Sequence, residues 1–299
     1  MTETTDRAGH RDIRIGTIVR MSDGAPYIKQ ILDHGFESFQ LMAWERLGAV
    51  DLPGLAGEVR EAMAGSAVVS SLGMFGNPLQ DEQAARDWET CLRSARLFGC
   101  DIVAGFAGAL EDRSVPDNMP KFIEVWGRLV KIAEDEGVRI AFENCEMGGS
   151  WSRPKWNIAR APRAWEMIFD AVSSASLGLE WEPCHQMGSL IEPIPQLRKW
   201  LPKIFHLHGK DATVQWDVVR EHGTHAGIPF VFHRTPGFGD TNWTDVISIL
   251  RAGGYRGCID IEGWHDPVYR DELEMTGQVY GLNYLKGCRC GAYVPNPVL

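Results

Sequence analysis

The sequence has no apolar run long enough to cross a bilayer, which excludes membrane spans. It has no excess of basic residues either. Thirty Lys plus Arg against forty Asp plus Glu leave a net charge of −10, which repels a phosphate backbone and makes nucleic acid a poor partner. The seven cysteines (Cys91, Cys100, Cys145, Cys184, Cys258, Cys288 and Cys290) are odd in number and scattered, so they form no disulfide framework. Cys288-Arg289-Cys290 has no second pair nearby and reads as ordinary reduced thiols rather than a metal site. No Pro/Gly/Ser-rich linker or low-complexity run divides the chain. Residues 1–12 are polar and lack an apolar signal core, which reads as a flexible N-terminal leader on a cytoplasmic protein. What remains is ordinary soluble usage, 44% apolar and 23% charged over 299 residues, and that excludes disorder. The length suits one large α/β barrel or two modest domains.

Short β-branched or apolar runs alternate with longer segments of helical period. Candidate strands are Ile13–Val19, Ser38–Met42, Ala67–Leu72, Ile102–Phe106, Arg139–Phe142, Leu177–Trp181, Ile204–Leu207 and Cys258–Ile261. Helical stretches include Ala25–His34, Asp81–Phe98, Lys121–Glu136, Pro162–Ala171, Ser189–Leu201, Trp243–Ala252 and Arg270–Lys286. Gly35, Gly99, Gly137 and Gly253 stand where helices end, which suits a left-handed closing residue. Eight such units point to a single-domain (β/α)₈ TIM barrel over 13–287, followed by a tail over 288–299. A doubly wound sheet is disfavoured because no G-x-G-x-x-G follows the first strand. The stretch Gly209 to Asp240 exceeds a normal connection and reads as a lid or binding loop.

In a TIM barrel the chemistry sits at the C-terminal ends of the strands, and here each of the last four strands ends in a residue able to bind a cation. Strand five ends Phe142-Glu143-Asn144 and strand six runs into Glu182-Pro183-Cys184-His185. Strand seven carries His206 and His208 on one face, one a ligand and the other behind it, and strand eight ends Ile261-Glu262. Neighbouring strands lie about 4.8 Å apart, so side chains on one rim converge. Three carboxylates and one imidazole make a hard, oxygen-rich site for one divalent ion, Mn²⁺ or Mg²⁺ first, with Co²⁺ or Zn²⁺ as alternatives. Glu143 and Glu262 also follow strongly apolar stretches, where a carboxylate without a partner is costly.

These motifs, together with His206-Leu207-His208-Gly209-Lys210-Asp211, Pro236-Gly237-Phe238-Gly239-Asp240 followed by Trp243, and Gly254-Tyr255-Arg256-Gly257, resemble the ordered motifs of the sugar phosphate isomerase/epimerase group of xylose-isomerase-like TIM barrels. The resemblance covers roughly 13–284. It implies that Glu143, Glu182, His208 and Glu262 hold one divalent ion, Mn²⁺ foremost. It implies that His185 and Arg234 touch substrate oxygens, and that Glu143 and Glu262 are the catalytic pair that exchanges a proton with substrate carbon. The chain departs from the family pattern at Glu182, where Asp is usual.

A proton α to a carbonyl is too weakly acidic for a free carboxylate, so such a site must stabilise an enediolate while two carboxylates handle the proton. Glu146 and Lys210 are further candidates for orienting a sugar, each balanced by a structural alternative: a solvated loop charge for Glu146, and a salt bridge in the turn for Lys210-Asp211. Trp44, Phe75, Phe106, Trp151 and Trp156 fall in C-terminal loops, with Trp44 and Phe75 the candidate substrate contacts, whereas Trp88, Trp126 and Trp165 belong between barrel and helices. No phosphate cradle appears, which favours a free or glycosylated sugar over a sugar phosphate. The leading expectation is a metal-dependent carbohydrate isomerase or epimerase. A 3-keto-glycoside lyase, eliminating through the same enolate, is the alternative. An abasic-site endonuclease ranks last, because strands three and four end without histidine. The expected partner is a small carbohydrate, and a homo-oligomer through the loop faces is compatible with the sequence.

Overall fold

The computed structural model describes residues 12–297, so the expected leader lies outside it except for Asp12, as do the last two residues of the tail. Along the chain run β1 (Arg14–Arg20), α1 (Gly24–Ile31), β2 (Ser38–Trp44), α2 (Leu52–Met63), β3 (Val68–Phe75), α3 (Glu82–Ser94), β4 (Ile102–Gly105) and α4 (Met119–Asp135). There follow β5 (Arg139–Glu143), α5 (Pro162–Ala171), β6 (Leu177–Trp181), α6 (Pro183–Gly188), α7 (Pro193–Trp200) and β7 (Ile204–Gly209). Last come β8 (Asp211–Val214), α8 (Trp216–His222), β9 (Val231–Arg234), α9 (Trp243–Ala252), β10 (Cys258–Ile261) and α10 (Glu274–Cys288). Eight strands close in the order β1-β10-β7-β6-β5-β4-β3-β2, and every neighbouring pair is parallel. This is the single TIM barrel that the alternation of short and long segments predicts.

Three local expectations change. Gly209 to Asp240 is no plain loop: β8 and β9 pair antiparallel from Asp211↔Arg234 to Val214↔Val231, with α8 between them. The runs Thr213-Val214 and Val231-Phe232 are short enough to be hidden by the polar residues around them. The helix α2 was not anticipated, because Pro53, Gly54 and Gly57 obscure the period of Leu52, Leu55, Ala56, Val59, Ala62 and Met63, all of which are buried. At the end of α9 the left-handed residue is Gly254, with φ of 80°, whereas Gly253 has φ of −84°.

Outward strand residues pack beneath the helices. Trp88, Trp126 and Trp165 are fully buried there as expected, with Trp126 edge-on to Trp88 at 4.9 Å and to Phe142 at 4.5 Å. Truncating any of them to Ala leaves a large cavity and costs about 3–5 kcal/mol. The barrel interior differs from the usual layers of branched apolar side chains. It carries Ser38, Gln40, Ser70, Glu180, His206 and Asp260, all buried. Gly16 makes this layer fit, because a Cβ there would run into the Ser38 carbonyl and the Asp260 carboxylate. At the N-terminal end, Asp12 pairs with Arg251 and the buried Arg289 bonds both Glu37 and the Ile13 carbonyl, so residues on both flanks of the barrel are tied together at its base. Among the described residues no helix is long and apolar enough to cross a membrane.

Candidate active site

Four strand ends deliver four side chains to one point. Glu143 closes β5, Glu182 follows β6 as the residue before α6, His208 lies in β7 and Glu262 follows β10. One ligand atom from each lies within 4.8 Å of all the others. From His208 Nδ1 the distances are 3.5 Å to Glu143, 3.4 Å to Glu262 and 4.0 Å to Glu182. The backbone that aims these groups is fixed by two buried asparagines. Asn144 bonds both the N–H and the carbonyl of Glu182, at 2.8 and 3.0 Å. Asn157 donates to the carbonyls of Glu143 and Cys145, at 2.9 and 2.8 Å, and accepts from the N–H groups of Ala107 and Ala159.

These carboxylates are out of water and crowded. Burial and the neighbouring Glu182 charge push Glu143 up to about 8. Burial also lifts Glu182, to about 7, although Lys210 pulls the other way. Glu262 differs: burial is outweighed by Lys210, whose Nζ is 2.8 Å away, and by His208, so its carboxyl stays well below the ordinary range. Both oxygens of Glu182, Nδ1 of His208 and Oε2 of Glu262 are buried without a hydrogen-bond partner. Buried polar atoms are rarely left so. A divalent cation fits this set: it supplies the missing partner to all three residues at once and neutralises carboxylates that repel one another. The three-carboxylate, one-imidazole composition suits a hard metal.

A family model described as xylose isomerase-like TIM barrel matches residues 28–281. The chain belongs to the xylose isomerase-like TIM barrel family. Among its relatives is an inosose dehydratase of Bacillus thuringiensis (strain Al Hakam), 27% identical over 170 residues, which are 53% of this chain and 54% of that protein. The chain thus spans about half the length of the curated relatives it matches. Two solved structures share the fold. One is the 3-keto-D-glucoside 4-epimerase of E. coli, with a TM-score of 0.65 at 17% identity over 93% of this chain and 100% of that one. The other is a xylose isomerase-like barrel of Mycobacterium smegmatis in complex with magnesium, with a TM-score of 0.68 at 17% identity over 96% and 99%.

Around the four residues of this xylose isomerase-like barrel, the other candidates fall into two groups. His185 and Lys210 adjoin the cluster: His185 Nε2 is 2.6 Å from Glu182 and 3.4 Å from Lys210 Nζ, and burial beside Lys210 drives its pKa down to about 3. Phe75 also borders it, its ring 6.2 Å from that of His208, and with Ile18, Met42, Phe106 and Cys145 it forms an apolar wall. Arg234, Glu146 and Trp44 stand farther out. Arg234 bonds Asp266 through Nε at 3.1 Å and lies over Phe238. Glu146 is engaged by Arg160 at 2.7 Å and Ser189 at 3.0 Å, which ties the loop after β5 to the end of α6. Trp44 is 51% exposed and meets Phe106 edge-on at 6.1 Å. Of the pair Lys210-Asp211, the lysine turns to Glu262 and the aspartate anchors Thr241 and Trp243.

Sequence reasoning passed over four residues of this region. His233 lies edge-on to His185 at 5.0 Å, and His265 sits 3.1 Å from Glu262. Gln40 and Glu180 lie directly beneath His208, with Gln40 Oε1 at 2.8 Å and Glu180 Oε1 at 3.2 Å from its Nε2. Their signal was present: a polar residue at an inward position of an otherwise apolar strand is costly unless it meets another. A cavity of 1410 Å³ at the opposite, N-terminal end of the barrel, lined in part by Arg60, Arg96 and Tyr255, reaches up to His206 but not to the four rim residues.

Proposed function

We propose that this protein is a divalent-metal-dependent carbohydrate isomerase or epimerase that moves a proton at the carbon next to a sugar carbonyl. The observation that carries this reading is the convergence of Glu143, Glu182, His208 and Glu262 with four of their polar atoms buried and unpartnered. When bound, a divalent ion, Mn²⁺ in the first instance, supplies Lewis-acid stabilisation of the negative charge that grows on the carbonyl and neighbouring hydroxyl oxygens as the proton leaves. Glu143 and Glu262 come from strands separated in the barrel by β6 and β7, so they reach the site from different sides. In this role one of them takes the proton and the other returns it. Lys210 and His185 meet substrate oxygens and Arg234 holds the far end of the sugar, with Glu146, Trp44 and Phe75 shaping the entrance. Burial of the whole cluster excludes water, which strengthens each of these interactions.

A second reading, elimination from a 3-keto-glycoside or similar keto-sugar, shares the first proton transfer. It is favoured by the sequence relationship to an inosose dehydratase. Incubating the Mn²⁺-loaded protein with ketoses and 3-keto-glycosides in D₂O and following the products by NMR decides the matter. Deuterium at the carbon next to the carbonyl, with an epimer or isomer formed, supports the first reading; release of the substituent one carbon further on, with or without deuterium in recovered substrate, supports the second. Neither deuterium exchange nor an eliminated product with any substrate contradicts both.

A further inference from the structure

The layer beneath the rim explains how His208 presents the right nitrogen. Gln40 projects from β2 into the barrel, where its Nε2 lies 2.9 Å from Ser71 Oγ and against Glu180 Oε1, while its Oε1 lies 2.8 Å from His208 Nε2. An amide has one end that donates and one that accepts. Turning it over would set its oxygen against the Glu180 carboxylate and leave Ser71 and Glu180 without their donor. Glu180 is held in place in turn, because its Oε1 also accepts from His206 Nδ1 at 2.8 Å, and the other nitrogen of His206 is bonded to Asp260 at 2.8 Å. The chain of contacts Asp260, His206, Glu180, Gln40 therefore fixes which way the amide points.

We infer that Gln40 is a positioning residue that sets the ring proton of His208 on Nε2 and so keeps Nδ1 as the atom offered to the cation. Its carbonyl oxygen only accepts, as does Glu180 Oε1 3.2 Å from the same nitrogen, so that nitrogen must carry hydrogen. In the neutral ring the bare nitrogen is then Nδ1, which has no hydrogen-bond partner and faces Glu143, Glu182 and Glu262. This inference rests on the proposed metal role of His208, and it adds a residue from the opposite side of the barrel that nothing in the rim motifs points to. Ligand histidines are oriented by the bond their second nitrogen makes, and losing such a bond weakens metal binding by about 10–100-fold.

The test is long-range ¹⁵N–¹H NMR on ¹⁵N-histidine-labelled full-length protein, with and without Zn²⁺, alongside Zn²⁺ titration of wild type, Gln40→Leu and Ser71→Ala. The expected result is a protonated, slowly exchanging Nε2 of His208 in the wild type in both states. Zn²⁺ affinity falls by about 10–100-fold in Gln40→Leu, with the circular dichroism spectrum unchanged, and by less in Ser71→Ala, which removes one anchor of the amide. A bare Nε2 in the wild type overturns the inference, as does wild-type affinity in Gln40→Leu. The NMR measurement needs no variant to fold, and the metal-free spectrum, taken at a pH high enough that only one ring nitrogen of His208 carries a proton, reads the tautomer even if no metal binds. A protein that takes up no Zn²⁺ yet keeps Nε2 protonated therefore contradicts the proposed function while leaving the role of Gln40 standing.

Discussion

Two clusters of the same residue types lie one above the other in the barrel and are finished in opposite ways. In the lower one, His206 has both nitrogens bonded, to Glu180 and Asp260, and Asp260 also accepts from Ser38 and Ser70. Only Oε2 of Glu180 is left over there. In the upper one, Glu143, Glu182, His208 and Glu262 converge, yet both oxygens of Glu182, a nitrogen of His208 and an oxygen of Glu262 make no hydrogen bond. Apart from the partly exposed Glu262, every residue of both clusters is buried, so exposure alone does not explain the difference. The lower cluster satisfies nearly all its polar atoms within the protein, whereas the upper one, in the proposed reading, is completed by a divalent ion.

The comparison breaks most clearly in stability. His206→Leu removes the cation from between two buried carboxylates and is expected to cost about 3–5 kcal/mol, because each carboxylate is left uncompensated. Glu143→Gln, in the upper cluster, removes one of several repelling carboxylates and is expected to leave the metal-free protein within about 1 kcal/mol of wild type. Thermal or urea unfolding of the two variants without metal checks both; equal losses would erase the distinction. Ligand loss has the reverse signature. His208→Ala is expected to weaken Mn²⁺ binding by about 100-fold or more, beyond the range for a residue that merely orients a ligand. Titration calorimetry measures it.

The pH dependence sharpens the contrast further. Glu143, at about 8, and Glu182, at about 7, hold protons in the folded protein that their unfolded counterparts release near 4.5. His208, lifted well above 6.5 by Glu180 and Glu143 against the effect of burial, also binds more proton when folded. Below 6.5 these terms are opposed by His185 and His233, both held near 3 when folded. Between about 6.5 and 8 that opposition is gone, so the metal-free protein is expected to lose stability as pH rises. Bound metal displaces the same protons, so the slope is expected to vanish in the loaded protein while metal affinity climbs with pH. Melting curves at pH 6.5, 7.2 and 8, with and without Mn²⁺, report this directly. The smallest effect is expected at Trp44, half exposed on the rim, where Trp44→Ala shifts stability by about 0.5 kcal/mol or less.

The fold was legible because its signals are local and repeated. Each barrel strand is a short apolar or β-branched run, and helices α3 and α4 carry a clear 3.6-residue period. The upper cluster was legible for a related reason: Glu143 and Glu262 stand at strand ends directly after the apolar Phe142 and Ile261, although Arg139 and Asp260 interrupt the two strands. Gln40 and Glu180 were not singled out, because each makes sense only through partners that closure of the barrel brings together, 140 positions apart for Gln40 and Glu180. The hairpin of β8 and β9 was missed because its four-residue strands pair only with each other, across a helix. Glu146, three residues beyond Glu143, reads equally as a group that orients a sugar and as a solvated loop charge. Its bonds to Arg160 and Ser189 depend on a fold-back of the loop after β5 that no sequence period marks.

Whether the upper cluster is a metal site is tested by a calorimetric titration of the metal-free full-length protein with Mn²⁺ at pH 7.5 in two buffers of different ionisation heat. The expected result is one ion per chain, bound with net release of protons, and loss of that binding in Glu182→Gln. No saturable binding, or binding unaltered in Glu182→Gln, would contradict it.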